Sequence, residues 1–154
     1  IASLRTALSL SAGQGTAHEH LGVALLLKGD ASGGLAEIEQ EKNELWRTIG
    51  LPMAYRALGR KADSDAAMAA LIAKYEKDAA YNNAYTYAYR GEADKAFEWL
   101  DKAVAYGDPG LGEIVVENLF DKIHSDARWL PFLRKIGKAP EQLAKIEFKV
   151  PLPK

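Results

Sequence analysis

Three glycines, Gly29, Gly59 and Gly91, set the period of this chain and constrain its fold more than any other feature. Four residues before each stands a large side chain: Leu25, Tyr55 and Tyr87. Five residues after each stands a small one: Gly34, Ser64 and Ala96. Four further on comes a large apolar one: Ile38, Met68 and Leu100. Internal repetition at strides near 30 residues is the signature of stacked supersecondary units. Each unit reads as a helix, a turn closed by a glycine in the left-handed conformation, and a second antiparallel helix. The small residue lets the two helices approach, and the large ones fill the seam between them. Helices are predicted over 1–10, 16–28, 32–43, 45–58, 61–76, 78–90 and 93–106. Pro52 falls where the first unit has a small helical residue, and should kink that helix or delay its start.

The pattern resembles the tetratricopeptide repeat, W-x2-L-G-x2-Y…A-x3-F…P. "LGVALLLKGD" matches at Leu21, Gly22, Leu25 and Gly29, and "AYRGEADKAFEWLDKA" at Gly91, Ala96, Leu100 and Ala103, with Pro109 just beyond. The resemblance implies an all-α fold, a right-handed superhelix (an α-α solenoid). The array would occupy 1–108, as a partial repeat at 1–12 and about three helix pairs. Residues 109–154 would form a helical cap that ends the stack against water, with a short helix at 140–146 and an extended tail. "IASLRTALSLS" reads as the end of an earlier repeat, which implies an array continuing upstream in a longer protein.

"YRGEADKAFEWLDKAVAYGDPGL" and "LFDKIHSDARWLPFLRKIGKAPEQL" are similar to the carboxy-terminal repeats of proteobacterial multidomain proteins. In those proteins a class III nucleotide cyclase domain or a winged-helix DNA-binding domain precedes the repeats. The expectation is a non-catalytic interaction and regulatory module, binding a peptide or a neighbouring domain of its parent chain. The alternatives are the regulatory region of an adenylate cyclase or of a winged-helix transcription regulator.

Composition agrees with a binding role. The 20 basic and 21 acidic side chains are well mixed, which argues against a nucleic-acid surface. No apolar run approaches the roughly 20 residues that a membrane helix needs. Zero cysteines exclude disulfides and thiol chemistry and fit a reducing, cytoplasmic setting. His18 and His20 flank Glu19 two residues apart, so on a helix they point to different faces, whereas helical zinc sites use i, i+3 or i, i+4. "GDASGG" and "GDPGLGE" lack the G-K-[ST] of a phosphate loop and read as turns. No carboxylate pair or nucleophile motif appears, so no enzyme activity, metal or cofactor is expected.

The candidate site is a stripe of tyrosines. Tyr81, Tyr85 and Tyr89 recur every four residues, with Asn82 beside them, while Tyr87 faces the repeat seam. In the family the first helix of each pair lines a concave groove. Carrying the stripe to the other copies adds Glu19, Val23 and Leu26, then Trp46, Ile49, Met53 and Arg56. The alternative is that the stripe is covered, by the cap or by the tail, where Phe148, Val150 and Leu152 alternate between prolines. Repeats that clamp the terminal carboxylate of chaperones carry lysines, an arginine and asparagines along the groove. Here those places hold Glu19, Val23, Gly50 and Asp78, and only Asn82 agrees. Apolar residues near the start of the chain predict self-association through residues 1–28, a homodimer at its simplest.

Overall fold

A computed structural model describes residues 1–10 and 16–147. Among them every regular element is helical. Seven helices fill the repeat region: α1 (Ala2–Leu10), α2 (Ala17–Leu27), α3 (Ala31–Gln40), α4 (Glu44–Ala57), α5 (Lys61–Tyr75), α6 (Ala80–Arg90) and α7 (Ala93–Tyr106). Two 3-10 turns follow, Pro109–Glu113 and Asn118–Ile123, then α8 (Trp129–Lys135) and the short α9 (Pro140–Leu143). The expected alternation of Phe148, Val150 and Leu152 lies outside the described residues.

The three glycines close their helices by one shared device. Gly29, Gly59 and Gly91 have φ of 85°, 73° and 81°, a region that a side chain rarely enters. The residue after each glycine then donates its N–H back to the carbonyl of the large residue: Asp30 to Leu25 at 3.0 Å, Arg60 to Tyr55 at 2.9 Å, Glu92 to Tyr87 at 2.9 Å. This six-to-one bond satisfies a carbonyl that a helix end otherwise leaves open. Side chains fix the starts of two helices, α3 and α4. Asp30 accepts from the Gly33 N–H, and Asn43 from those of Leu45 and Trp46.

The paired helices α2–α3, α4–α5 and α6–α7 pack along their lengths as antiparallel hairpins. In the first, a Cβ on Gly22 would sit 2.5 Å from Ile38, and one on Gly34 would sit 2.4 Å from Leu26. Both positions therefore need glycine for close approach. The second hairpin solves the same contact with polarity, because the Ser64 hydroxyl donates to the Pro52 carbonyl at 2.6 Å. The helix around Pro52 does not start late; α4 runs from Glu44 through Pro52 to Ala57 without a break. Ile38, Met68 and Leu100, the residues placed in the seam by the period, are all buried.

Helices α2, α4 and α6 lie side by side, α2 against α4 and α4 against α6. The second 3-10 turn then folds back onto α6. Phe120, fully buried, is its anchor, and α8 follows it down with Trp129 stacked on Phe120 at 5.5 Å between centroids. Arg128 lies over the Phe97 ring and pairs with Asp94 at 2.9 Å, while Lys135 pairs with Asp101 at 2.7 Å, so the cap is also tied to α7.

Candidate functional site

The tyrosine stripe is not an open surface. Tyr81 and Tyr85 are 4% and 5% exposed, because Phe120 packs edge-on against both rings, at 5.6 and 6.4 Å. The two tyrosines meet each other at 89° and 5.6 Å. The backbone at Gly110 lies so close over Tyr81 that a Cβ there would come within 2.5 Å of the ring. Among the described residues the cap provides this cover; the tail, the other cover considered from the sequence, lies outside them. Tyr89 is half-buried, with the Lys122 ammonium over its ring at 4.6 Å.

What remains open is a cleft of about 560 Å³ between α2, the start of α4, α6 and the two 3-10 turns. Six of the eleven residues singled out from the sequence line it: Glu19, Val23, Trp46, Tyr81, Asn82 and Tyr85. Its size is that of an ordinary ligand site, roughly 300–1,000 Å³. Leu26 and Tyr89 line a second cleft of about 350 Å³, which shares Leu27 and Leu119 with the first. Ile49 and Met53 do not belong to a groove at all, since both are fully buried. The reason is that α4 sits between α2, α3, α5 and α6, so its continuation of the stripe is closed off by neighbours. Arg56 is exposed and lines neither cleft. It stands ten residues beyond Trp46, some 15 Å along the helix at about 1.5 Å per residue.

The cleft's character comes from carboxylates that the period did not single out. Asp78, Asp108, Glu113 and Glu117 join Glu19 in its walls, with His20 the one basic side chain among the described residues there. Asp108 is structural, because its carboxylate accepts the Tyr81 N–H and the Gly110 N–H, both at 2.9 Å. Glu117 accepts the Leu119 N–H at 3.0 Å, yet burial pushes its carboxyl above the usual range. Glu19 differs from these. It is 3% exposed, and burial first, then the neighbouring Glu41 and Glu117, push its pKa up to about 8. The nearest basic side chain among the described residues is His20, whose Nδ1 lies 3.5 Å away, and that nitrogen is already 2.6 Å from the Thr16 carbonyl.

Glu41 stands behind Glu19 and behaves in the opposite sense. Burial pushes it up, but backbone N–H groups of Asn43, Glu19 and Thr16 carry it below the carboxylate range. Two of these bonds measure 2.8 Å from Asn43 and 3.3 Å from Glu19, so Glu41 serves the open N-terminus of α2. The histidines point apart, as their spacing predicts. His18 meets Glu37 of α3 at 2.8 Å, and His20 stacks on Trp46 at 5.6 Å. Among the described residues no three His, Asp or Glu are grouped to hold a metal ion, and no helix is long and apolar enough to cross a membrane.

No family model, curated protein or solved structure matches the chain.

Proposed function

We propose that this chain is a non-catalytic interaction module built on tetratricopeptide-type helix hairpins. It takes a peptide, or a segment of a neighbouring domain, in the cleft between α2, α6 and the cap. One observation carries the reading: helices α2, α4 and α6 converge on a concave site walled in part by Trp46, Tyr81 and Tyr85, at which Trp46 and the neighbouring Asn82 are only half-buried. Tyrosine and tryptophan give large contact area at low entropy cost, which suits recognition. A regulatory place in a longer protein follows from the resemblance of the repeats and cap to those that accompany cyclase or winged-helix effectors.

The test is selection from a random phage-displayed peptide library against the full chain, followed by amide chemical-shift mapping of the selected peptides. Shifts centred on Val23, Trp46, Asn82 and Glu113 are expected. Peptides that map elsewhere, or no selection at all, overturn the reading. Cyclic-nucleotide production by the purified chain from nucleoside triphosphate and magnesium would overturn its non-catalytic half. Self-association through residues 1–28 belongs to the same proposal, on the evidence of Leu10 and Leu27, 83% and 46% exposed. A monomer mass that light scattering finds independent of concentration would remove it.

A further inference from the structure

We propose that the cleft recognises a basic side chain, a lysine ammonium or an arginine guanidinium, on a peptide segment of a partner protein, with Glu19 as its charge partner. The inference rests on the interaction reading above and gives it a chemistry. Over the whole chain the two signs nearly cancel, with 20 basic and 21 acidic residues. In the cleft they do not. Among the described residues five carboxylates line it, Glu19, Asp78, Asp108, Glu113 and Glu117, and no lysine or arginine does. Such segregation focuses a negative potential into a concavity whose walls are apolar, and selects cations.

The second observation is independent of that count. Glu19 is a buried carboxyl that accepts no hydrogen bond from any described residue, although it borders the cleft. A largely buried carboxylate with no donor among the described residues is costly to charge, and the cost is lifted when a cation arrives. The groups facing it are His20 on α2, Glu41 beyond α3, Tyr85 on α6 and Glu117 in the cap. None but His20 can carry positive charge, and its Nδ1 is engaged by the Thr16 carbonyl. The half-buried Trp46 ring beside His20 adds a face on which an ammonium or guanidinium is favoured. Burial pushes the Glu19 pKa up to about 8, and a bound cation favours release of its proton.

The composition of the peptides selected in the library experiment decides the point. Enrichment in Lys and Arg is expected. Enrichment without basic residues overturns this inference and leaves the interaction reading standing, whereas no selection overturns both. For a selected peptide, replacing its lysine by acetyl-lysine, or its arginine by citrulline, should weaken binding about 10-fold or more, the order expected for a charged hydrogen bond. Glu19→Gln should do the same, and should abolish a rise in affinity between pH 6 and 8.5 that the native chain shows. Glu117→Gln, on the half-exposed cap wall, gives a smaller loss and serves if Glu19→Gln does not fold. Unchanged affinity in both variants overturns the assignment. The remaining occupant is the chain's own Lys149 or Lys154. If basic peptides bind only after both are changed to alanine, the tail and not a partner fills the site, and the proposal falls.

Discussion

Helix α6 has two buried faces, and they are built from opposite materials. Tyr81 and Tyr85 lie on one, sealed beneath Phe120 in a chain of edge-on rings. Asn83, Thr86, Tyr87 and Arg90 recur at helical spacing on the other. There both amide atoms of Asn83, the Thr86 hydroxyl and Arg90 Nε find no partner among the described residues, against one such atom, the Tyr81 hydroxyl, on the aromatic face. Arg90 itself is held by Asp65, by Glu92 at 2.7 Å and by the Ser64 carbonyl at 3.1 Å, which joins α6 to α5. Equal burial therefore does not mean equal stabilisation. Apolar rings contribute roughly 25 cal/mol per Å² removed from water, while a buried polar group without a partner costs about 1–3 kcal/mol. The aromatic face, closed by the cap, is the stronger of the two.

The largest test of that ranking is Phe120→Ala. Phe120 is fully buried and shared by Tyr81, Tyr85 and Trp129, so its loss should cost about 4 kcal/mol and detach the cap from α6. Chemical denaturation should show it, along with a new early transition in Trp129 fluorescence. A loss below about 1 kcal/mol would mean that the cap contributes little. The next test compares the tyrosines directly. Tyr85→Ala should cost about 3 kcal/mol, and Tyr87→Ala about 2 kcal/mol, because the cations of Arg90 and Lys95, at 5.5 and 5.1 Å, share the Tyr87 ring with its apolar neighbours. The stripe position taken alone suggests the reverse order. Two melting curves that show Tyr87→Ala as the worse variant would return the weight to the hairpin seam.

That reversal marks where the sequence stops being legible. Gly29, Gly59 and Gly91, and the large residues four positions earlier, were readable because the closing bond links residues five apart in the chain. Helix limits, all within three residues of expectation, follow from the same local chemistry. The cover over Tyr81 and Tyr85 was not readable to that degree, since it depends on Phe120, some 35 residues on, folding back across α6. Carrying the stripe to α4 failed for Ile49 and Met53 for a related reason: periodicity gives a helix its faces but does not say how many have neighbours. The register of Glu19 puts it in the cleft wall. Its isolation depends on Glu41 and Glu117, from two other parts of the chain, and no spacing shows it.

The two faces also respond to pH in opposite directions. On the cap side, Glu19 has a folded pKa of about 8 against an ordinary 4.5, so between those values the folded chain holds a proton that the unfolded chain has lost. Its contribution to stability is full below about 4.5 and declines as pH rises toward 8, at up to about 1.4 kcal/mol per pH unit. On the other face burial pushes Glu92 up, but Lys95 and Arg90 together carry it below 4.5. That contribution is present above 4.5 and lost as pH falls through the lowered value. Melting temperatures between pH 5.5 and 8.5 should therefore fall in the native chain and change less in Glu19→Gln. An equal slope in the two proteins would show that Glu19 is not the group responsible.

The smallest effect separates the hydroxyls. Asn82 Nδ2 donates to the Tyr85 hydroxyl at 2.7 Å, at the boundary between the sealed rings and the cleft. Asn82 is half-buried and Tyr85 is buried, so removing the amide leaves a buried oxygen without its donor. Asn82→Ala should cost about 1 kcal/mol, the usual net worth of such a bond. Tyr85→Phe should cost about as much, while Tyr87→Phe, on the face where the ring meets cations, should change stability little. The double variant Asn82→Ala with Tyr85→Phe then isolates the pair, and a coupling of about 0.5–1 kcal/mol is expected between residues in direct contact. Because Asn82 also lines the cleft, the same variant should weaken peptide binding more than it weakens the fold. Strict additivity in the double variant would mean that the bond contributes nothing, and that packing against Phe120 alone holds Tyr85 in place.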